Sequence, residues 1–380
     1  MKIGILSMQR IVNYGSFLQA YGLKKTVEKL GHEVEFVDYT IEPCLVKKPQ
    51  QTTNILKKSK KVCKELCKGV LKSGRVLFLK RKWETFEKFE SDYENKYLPI
   101  LGITEKRNIS PEVDCLIIGS DEVFNCLQTN KNVGYSRELF GINCNAKEII
   151  SYAASFGNAT LEGLKKYRVD QEIAEGLKKF ESISVRDQNS QDIVKELTAR
   201  IADMHLDPVL IYDFKEIDSI KTDYNYAEKY MVVYAYPGRI NKKEGKKIRE
   251  FARKKKCRLI GISGSFWFCD DSVFPSPFEV LRLFRGAEYI VTDTFHGSVF
   301  SIKYNKQFAV FVRDGEELKY GNSQKITDLL DKFKLQARII SSDSVLEEVI
   351  DQPIDYNRVN DKIIMEKQRT NEYLEKLLKE

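Results

Sequence analysis

Short apolar runs alternate with amphipathic runs along almost the whole chain, and this alternation is the tightest constraint on its fold. Residues 2–7 read as a buried strand. Residues 16–30 read as a helix, with Phe17, Leu18, Ala20, Tyr21, Leu23, Val27 and Leu30 at helical spacing and Gly31 closing it. A second strand follows at 33–38. Further strands are predicted at 113–118, 148–153 and 182–185, helices near 171–180 and 190–197, and a return strand over 203–208. The pattern then starts afresh, with strands at 230–235, 258–262, 289–292 and 308–312 and helices at 241–255, 277–285, 296–304 and 326–332. Parallel strands need a crossover long enough to hold a helix, so this alternation predicts parallel sheets covered on both faces. The chain therefore predicts an α/β fold of two tandem, Rossmann-like, doubly wound domains over residues 1–208 and 209–380. Residues 209–228, polar and rich in Asp and Lys, read as the linker. A last helix at about 360–379 can pack on either domain.

Length and composition agree with that division. The chain has 380 residues, 42% hydrophobic and 31% charged, enough for two ordinary soluble domains. No apolar run approaches the ~20 residues that span a bilayer, and the apolar start is too short for a signal-peptide core, so a cytosolic chain is expected. The eight cysteines include no Cys-x-x-Cys pair and no Cys/His cluster, so neither a metal site nor a disulfide framework is expected. The net charge of +8 is concentrated in a helical insertion at about 47–93. Its basic stretch, 47–82, carries Lys57, Lys58, Lys60, Lys61, Lys64, Lys68, Lys72, Lys80, Arg81 and Lys82 beside the apolar Val76, Leu77, Phe78 and Leu79. Such a strip is either a solvated face or a surface for anionic lipid. No aromatic-laced module accompanies it, so nucleic acid is not an expected partner.

In doubly wound sheets, ligands gather beyond the carboxyl ends of strands, where helix N-termini offer N–H groups. Four segments fall there. The first, Gln9 to Ser16, offers Asn13, a turn at Gly15 and a helix cap at Ser16, but neither a Gly-x-Gly-x-x-Gly nor a Gly-Lys-Ser/Thr motif for a nucleotide cofactor. The second, Gly119-Ser120-Asp121-Glu122-Val123-Phe124-Asn125, exposes a carboxylate at a strand end, a hydroxyl acceptor or a helix cap. The third, Ser184-Val185-Arg186-Asp187, places a planar fork of donors that suits phosphate or carboxylate, or an internal ion pair. The fourth, Thr292-Asp293-Thr294-Phe295-His296-Gly297-Ser298, sets one of only three histidines at a strand–helix junction beside Asp293. His32 and His205 read as surface and structural residues.

Taken in order, these segments resemble the polysaccharide pyruvyl transferase family. The resemblance rests on Asn-Tyr-Gly-Ser-Phe-Leu-Gln-Ala-Tyr at 13–21, Ile-Gly-Ser-Asp-Glu-Val-Phe-Asn at 118–125 and Ser-Tyr-Ala-Ala-Ser-Phe-Gly at 151–157. Ser-Val-Arg-Asp at 184–187, Leu-Asp-Pro at 206–208 and Thr-Asp-Thr-Phe-His-Gly-Ser-Val-Phe-Ser at 292–301 complete it. It implies a glycosyltransferase-B-like arrangement with an interdomain crevice, the first domain on the acceptor side and the second on the donor side. It implies transfer of the enolpyruvyl group of phosphoenolpyruvate onto two hydroxyls of a sugar, giving a cyclic pyruvate ketal, with no cofactor and no metal. The expected partners are phosphoenolpyruvate, a lipid-linked glycan acceptor and a peripheral anionic membrane contact. His296 and Arg186 match the family's functional histidine and arginine. Asn13, Gly15, Ser16, Gln19, Ser120, Asp121, Asn125, Ser155, Phe156, Asp293, Thr294, Gly297 and Ser298 are the expected substrate contacts. Thr294 stands where members of the family can carry an arginine, so Arg239, Arg313 and Lys325 are the expected substitutes for its charge. A sugar-nucleotide glycosyltransferase and a catalytically silent binding protein remain the alternatives.

Overall fold

A computed structural model describes residues 1–46, 87–222, 224–264, 266–313, 323–341 and 344–379. The basic stretch 47–82 lies outside the described residues. In chain order the first half contains β1 (Lys2–Leu6), α1 (Tyr14–Lys29), β2 (Glu33–Phe36), β3 (Val113–Asp121), β4 (Ala146–Ala154), α2 (Leu161–Lys166) and α3 (Asp170–Leu177). It continues with β5 (Ser184–Val185), α4 (Gln188–Thr198), β6 (Asp203–Met204) and α5 (Pro208–Ile211). Its six strands lie in the order β2-β1-β3-β4-β5-β6, all parallel. The chain leaves β1 outward to β2 and returns to its other side with β3, so the winding reverses between β1 and β3.

The second half contains β7 (Tyr230–Tyr234), α6 (Lys242–Lys254), β8 (Arg258–Ile262), β9 (Asp271–Val273), α7 (Pro277–Gly286), β10 (Tyr289–Thr292) and α8 (Phe295–Lys303). It ends with β11 (Gln307–Phe311), α9 (Ser323–Phe333), β12 (Ile339–Ile340), α10 (Leu346–Asp351) and α11 (Tyr356–Leu377). The order here is β12-β11-β10-β7-β8-β9, again all parallel, and the winding reverses between β7 and β10. Each half thus has one switch point, the place where such sheets leave a crevice. The strands β9 and β12 and the helices α2 and α10 escape periodicity analysis because two to six residues are too few to show a period.

The expected polar linker is corrected. The apolar residues of 208–217 are instead part of the core: Val209 and Phe214 are fully buried, and Ile217 nearly so. Asp213, Lys215, Glu216 and Asp218 dominate the composition while the interleaved apolar residues turn inward. Phe278 of α7 meets Phe17 and Tyr21 of α1 at 5.8 and 4.9 Å, and Tyr21 stacks on Phe214 at 6.0 Å. One continuous apolar cluster therefore runs from Ile5 and Ile117 in the first sheet to Val232 and Ile290 in the second. The last helix bridges both halves. Tyr356 at its start donates to the Lys306 carbonyl, while Tyr373 near its end donates to the Ser151 carbonyl at 3.0 Å. Among the described residues, no helix is long and apolar enough to cross a membrane, and no group of three His, Cys, Asp or Glu could hold a metal ion.

Candidate active site

A cleft of about 960 Å³ opens where the two switch points face one another. The first half contributes Asn13 and Ser16 from the start of α1, Asp121 and Glu122 from the end of β3, and Arg186 beyond β5. The second contributes Tyr234 at the end of β7 and Tyr236 beyond it, then Arg239, then Thr294, Phe295 and His296 at the start of α8, and Lys325 of α9. Each comes from a strand end or a helix start, because there the side chains leave the packed layers.

The deepest part is a chain of charged and polar groups. Ser16 Oγ donates to Asp121 Oδ2 at 2.7 Å, and Arg186 Nη2 donates to Asp121 Oδ1 at 3.0 Å. Arg186 Nη1 donates to Asp207 Oδ2 at 2.8 Å, and that same oxygen lies 3.4 Å from His296 Nε2. The latter pair is misaligned for a hydrogen bond, so it is an electrostatic contact. Burial opposes ionisation of Asp121 and Asp207. Nonetheless, the neighbouring Arg186 guanidinium and His296 ring hold both below the ordinary Asp range. Asp121 sits at a φ of +77°, a left-handed conformation that the surrounding contacts sustain. Arg186 also lies over the Phe295 ring, 4.3 Å away, so a residue of the second half covers the cation of the first.

Gly15 has a specific reason to be glycine. A Cβ there would fall 2.0 Å from His296 Nδ1, so its missing side chain is the space that the imidazole occupies. Asn13 and Thr294 act locally as caps. Asn13 Oδ1 accepts from the N–H groups of Gly15 and Ser16 at 2.8 and 3.1 Å, and Thr294 Oγ1 accepts from Gly297 at 2.9 Å. The α1 N–H groups expected to meet substrate are therefore already taken by Asn13.

Several expected contacts lie elsewhere. Gln19 is buried, donating to Ser7 Oγ and the Ser16 carbonyl. Ser120 donates to the Ala153 carbonyl, Ser155 to Asp187 and Ser298 to the Thr294 carbonyl. Asn125 donates to Glu122 and Asn158 behind the cleft wall. Phe156 packs in the core against Phe124 at 5.2 Å. Gly297 makes room for Thr292, whose Oγ1 would lie 2.0 Å from an added Cβ. Asp293 is fully buried and does not partner His296: its Oδ1 accepts from the Tyr236 N–H at 3.0 Å, and Arg239 Nη1 is 3.7 Å from its Oδ2. Burial pushes Asp293 upward against those neighbours. Arg313 forms a bidentate pair with Glu244 of α6 at 2.9 Å, while Arg239 and Lys325 do line the cleft. Lys325 bridges the halves through an ion pair with Glu122.

Sequence reasoning missed Asp207, although Leu206-Asp207-Pro208 carries the signal: an Asp before Pro is a common start for a helix. It also missed the rim at 128–133, Gln-Thr-Asn-Lys-Asn-Val, whose only signature is polarity between two strands.

Two parallel, doubly wound sheets facing one another across a cleft define a glycosyltransferase-B-like α/β protein. The chain belongs to the polysaccharide pyruvyl transferase family, whose sequence profile it matches over residues 13–315. That membership classes it as a transferase acting on polysaccharide. No curated protein matches the sequence. Among solved structures it is similar to an S. aureus MnaA–UDP co-structure (10% identity, 99% of this chain and 96% of that one, TM-score 0.48). It is also similar to the glycosyltransferase of kitacinnamycin (12%, 100% and 99%, 0.48). A third is the UDP-GlcNAc 2-epimerase from Neisseria meningitidis bound to UDP-GlcNAc (10%, 97% and 100%, 0.45).

Proposed function

We propose that the protein moves the enolpyruvyl group of phosphoenolpyruvate onto two hydroxyls of a sugar in a lipid-linked glycan precursor, closing a cyclic ketal. The observation that carries this reading is the convergence of His296 with three cations, Arg186, Arg239 and Lys325, on one cleft of a pyruvyl transferase family member. Phosphoenolpyruvate brings a carboxylate and a phosphate, and both need cations in a partly desolvated site.

In the proposed sequence, His296 gives a proton to the C3 methylene, which becomes methyl as C2 becomes electrophilic. A sugar hydroxyl adds to C2 and passes its proton to His296, restoring the acid. The C2–O bond to phosphate then breaks, phosphate leaving with the electron pair. A second hydroxyl bonds to C2, and its proton leaves with the phosphate. General acid catalysis of this kind contributes about 10² to 10⁴ in rate. Both terminal nitrogens of Arg186 already face carboxylates, so the phosphate's direct partners are Arg239 and Lys325, and an incoming phosphate competes with Glu122 for Lys325. The basic stretch at 47–82 is assigned the task of meeting the anionic surface that carries the acceptor.

Mass spectrometry of candidate glycans incubated with phosphoenolpyruvate tests the reaction: a pyruvyl ketal and released phosphate are expected. Thermal shift sorts the alternatives. Stabilisation by a nucleotide sugar and not by phosphoenolpyruvate would replace this reading with a glycosyltransferase; stabilisation by phosphoenolpyruvate without transfer to any glycan would indicate a binding protein.

A further inference from the structure

Asp207 lies outside the lining of the cleft, on the segment joining the two halves, and its side chain is completely buried. It is the residue before Pro208 at the start of α5, and its Oδ1 accepts from the Val209 N–H at 3.0 Å. That cap and the proline fix the carboxylate's direction, so Oδ2 is held where Arg186 of the first half and His296 of the second both arrive. The His296 ring is confined on two sides: its Nδ1 edge lies against Gly15, and its Nε2 faces Asp207.

We infer that Asp207 is a positioning residue for His296, holding the imidazole with its proton on Nε2 and balancing the charge of the ring when a second proton is bound. A buried carboxylate next to one ring nitrogen selects the tautomer protonated there and fixes the orientation of the ring. The other charged groups facing the ring are Asp121 of β3 and Arg186 beyond β5, which pair with each other. Asp207 therefore faces His296 with part of its charge already matched by Arg186. The catalytic consequence rests on the proposed role of His296 as acid, whereas the tautomer does not.

Nitrogen-15 NMR of the full chain labelled at histidine, followed over about pH 6 to 9, tests this, since that range spans ordinary histidine titration. There are three histidines, and a His296→Ala sample identifies the signals of His296. The wild-type protein should show neutral His296 protonated on Nε2. Asp207→Asn should abolish this preference, because its one amide oxygen cannot both cap Val209 and stand as the anionic Oδ2 between Arg186 Nη1 and His296 Nε2. A wild-type ring protonated on Nδ1 overturns the inference, whether or not the variant folds. An unchanged ring in folded Asp207→Asn also overturns it. Where pyruvyl transfer is measured, Asp207→Asn should lower kcat by about 10²-fold or more. Absence of any transfer would defeat the proposed reaction and leave the NMR result standing by itself.

Discussion

The two walls of the cleft hold their arginines in opposite ways. In the first half, Arg186 has a side chain only 2% exposed and donates to two buried carboxylates at 2.8 and 3.0 Å. In the second, Arg239 is 13% exposed, stacks over Tyr236 at 4.7 Å and stands 3.7 Å from Asp293. The first wall is a preassembled electrostatic frame; the second sets its cation over an aromatic ring beside a buried carboxylate. The difference teaches that the motif arginine need not be the one that touches the donor. His296 belongs by chain to the second wall and by contact to the first.

The largest expected effect tests that crossing. Gly15→Ala puts a methyl group 2.0 Å from His296 Nδ1 on a helix whose backbone is fixed by core packing, so the ring must leave. Transfer should fall by about 10² to 10⁴, as in His296→Ala, while the melting temperature changes far less. Normal turnover in Gly15→Ala would mean that the two walls do not meet as described.

Next come the arginines themselves. Arg186→Lys keeps one charge but cannot reach both Asp121 and Asp207, and it should cost about 3 kcal/mol in denaturant unfolding, in the range for breaking a buried pair. Arg239→Lys keeps a cation beside Asp293 but loses the forked, ring-stacked geometry, so it should cost less stability than Arg186→Lys, yet raise KM for phosphoenolpyruvate several-fold. The reverse pattern would exchange the roles of the walls.

Much of this was legible in the sequence. The parallel sheets follow from the alternation of periods, and the four strand-end segments mark the switch points because the chain must leave the sheet there. Within those segments, sequence could not say which polar side chains face outward. Ser155 and Ser298 carry the same hydroxyl as Ser16, and Gln19 an amide, but all three point into the layers; helical phase decides for Gln19 and Ser298, and the end of β4 for Ser155. Asp207, and not Asp293, stands beside His296 for a different reason. Asp293 is three residues from His296 along the chain, whereas Asp207 reaches it only through the tertiary fold.

Acid should weaken the two halves differently. Burial holds His205 at about 3, against an ordinary value of 6.5. Between those pH values the unfolded chain binds a proton that the folded chain does not, so stability falls as pH drops through that window. Asp121 and Asp207, held low, lose their contributions as pH falls through their folded values. Asp293 is pushed upward, so it works in the opposite sense and favours the folded state as pH falls. His205→Gln should therefore flatten the acid side of melting temperature against pH, by an amount equivalent to roughly a few kcal/mol at most. A slope unaltered by His205→Gln would move the acid sensitivity to the carboxylates.

The smallest effect separates a cap from a ligand. Asn13 and Thr294 stand at matching places, each at the start of a helix that opens on the cleft, and each uses its side-chain oxygen for backbone N–H groups. Either residue changed to Ala should cost about 1 kcal/mol. Asn13→Ser keeps an acceptor for the cap and removes only the amide NH2, the one group of that side chain left to meet a substrate. With the cap as its main work, Asn13→Ser should melt within a degree or two of wild type, since about 0.5 kcal/mol is a small shift for a chain of this size. Its turnover should stay within about twofold, far less than a charged or fully desolvated substrate contact is worth. A severe fall in turnover with unchanged melting would restore Asn13 as a substrate contact and make the first wall a binding surface as well as a frame.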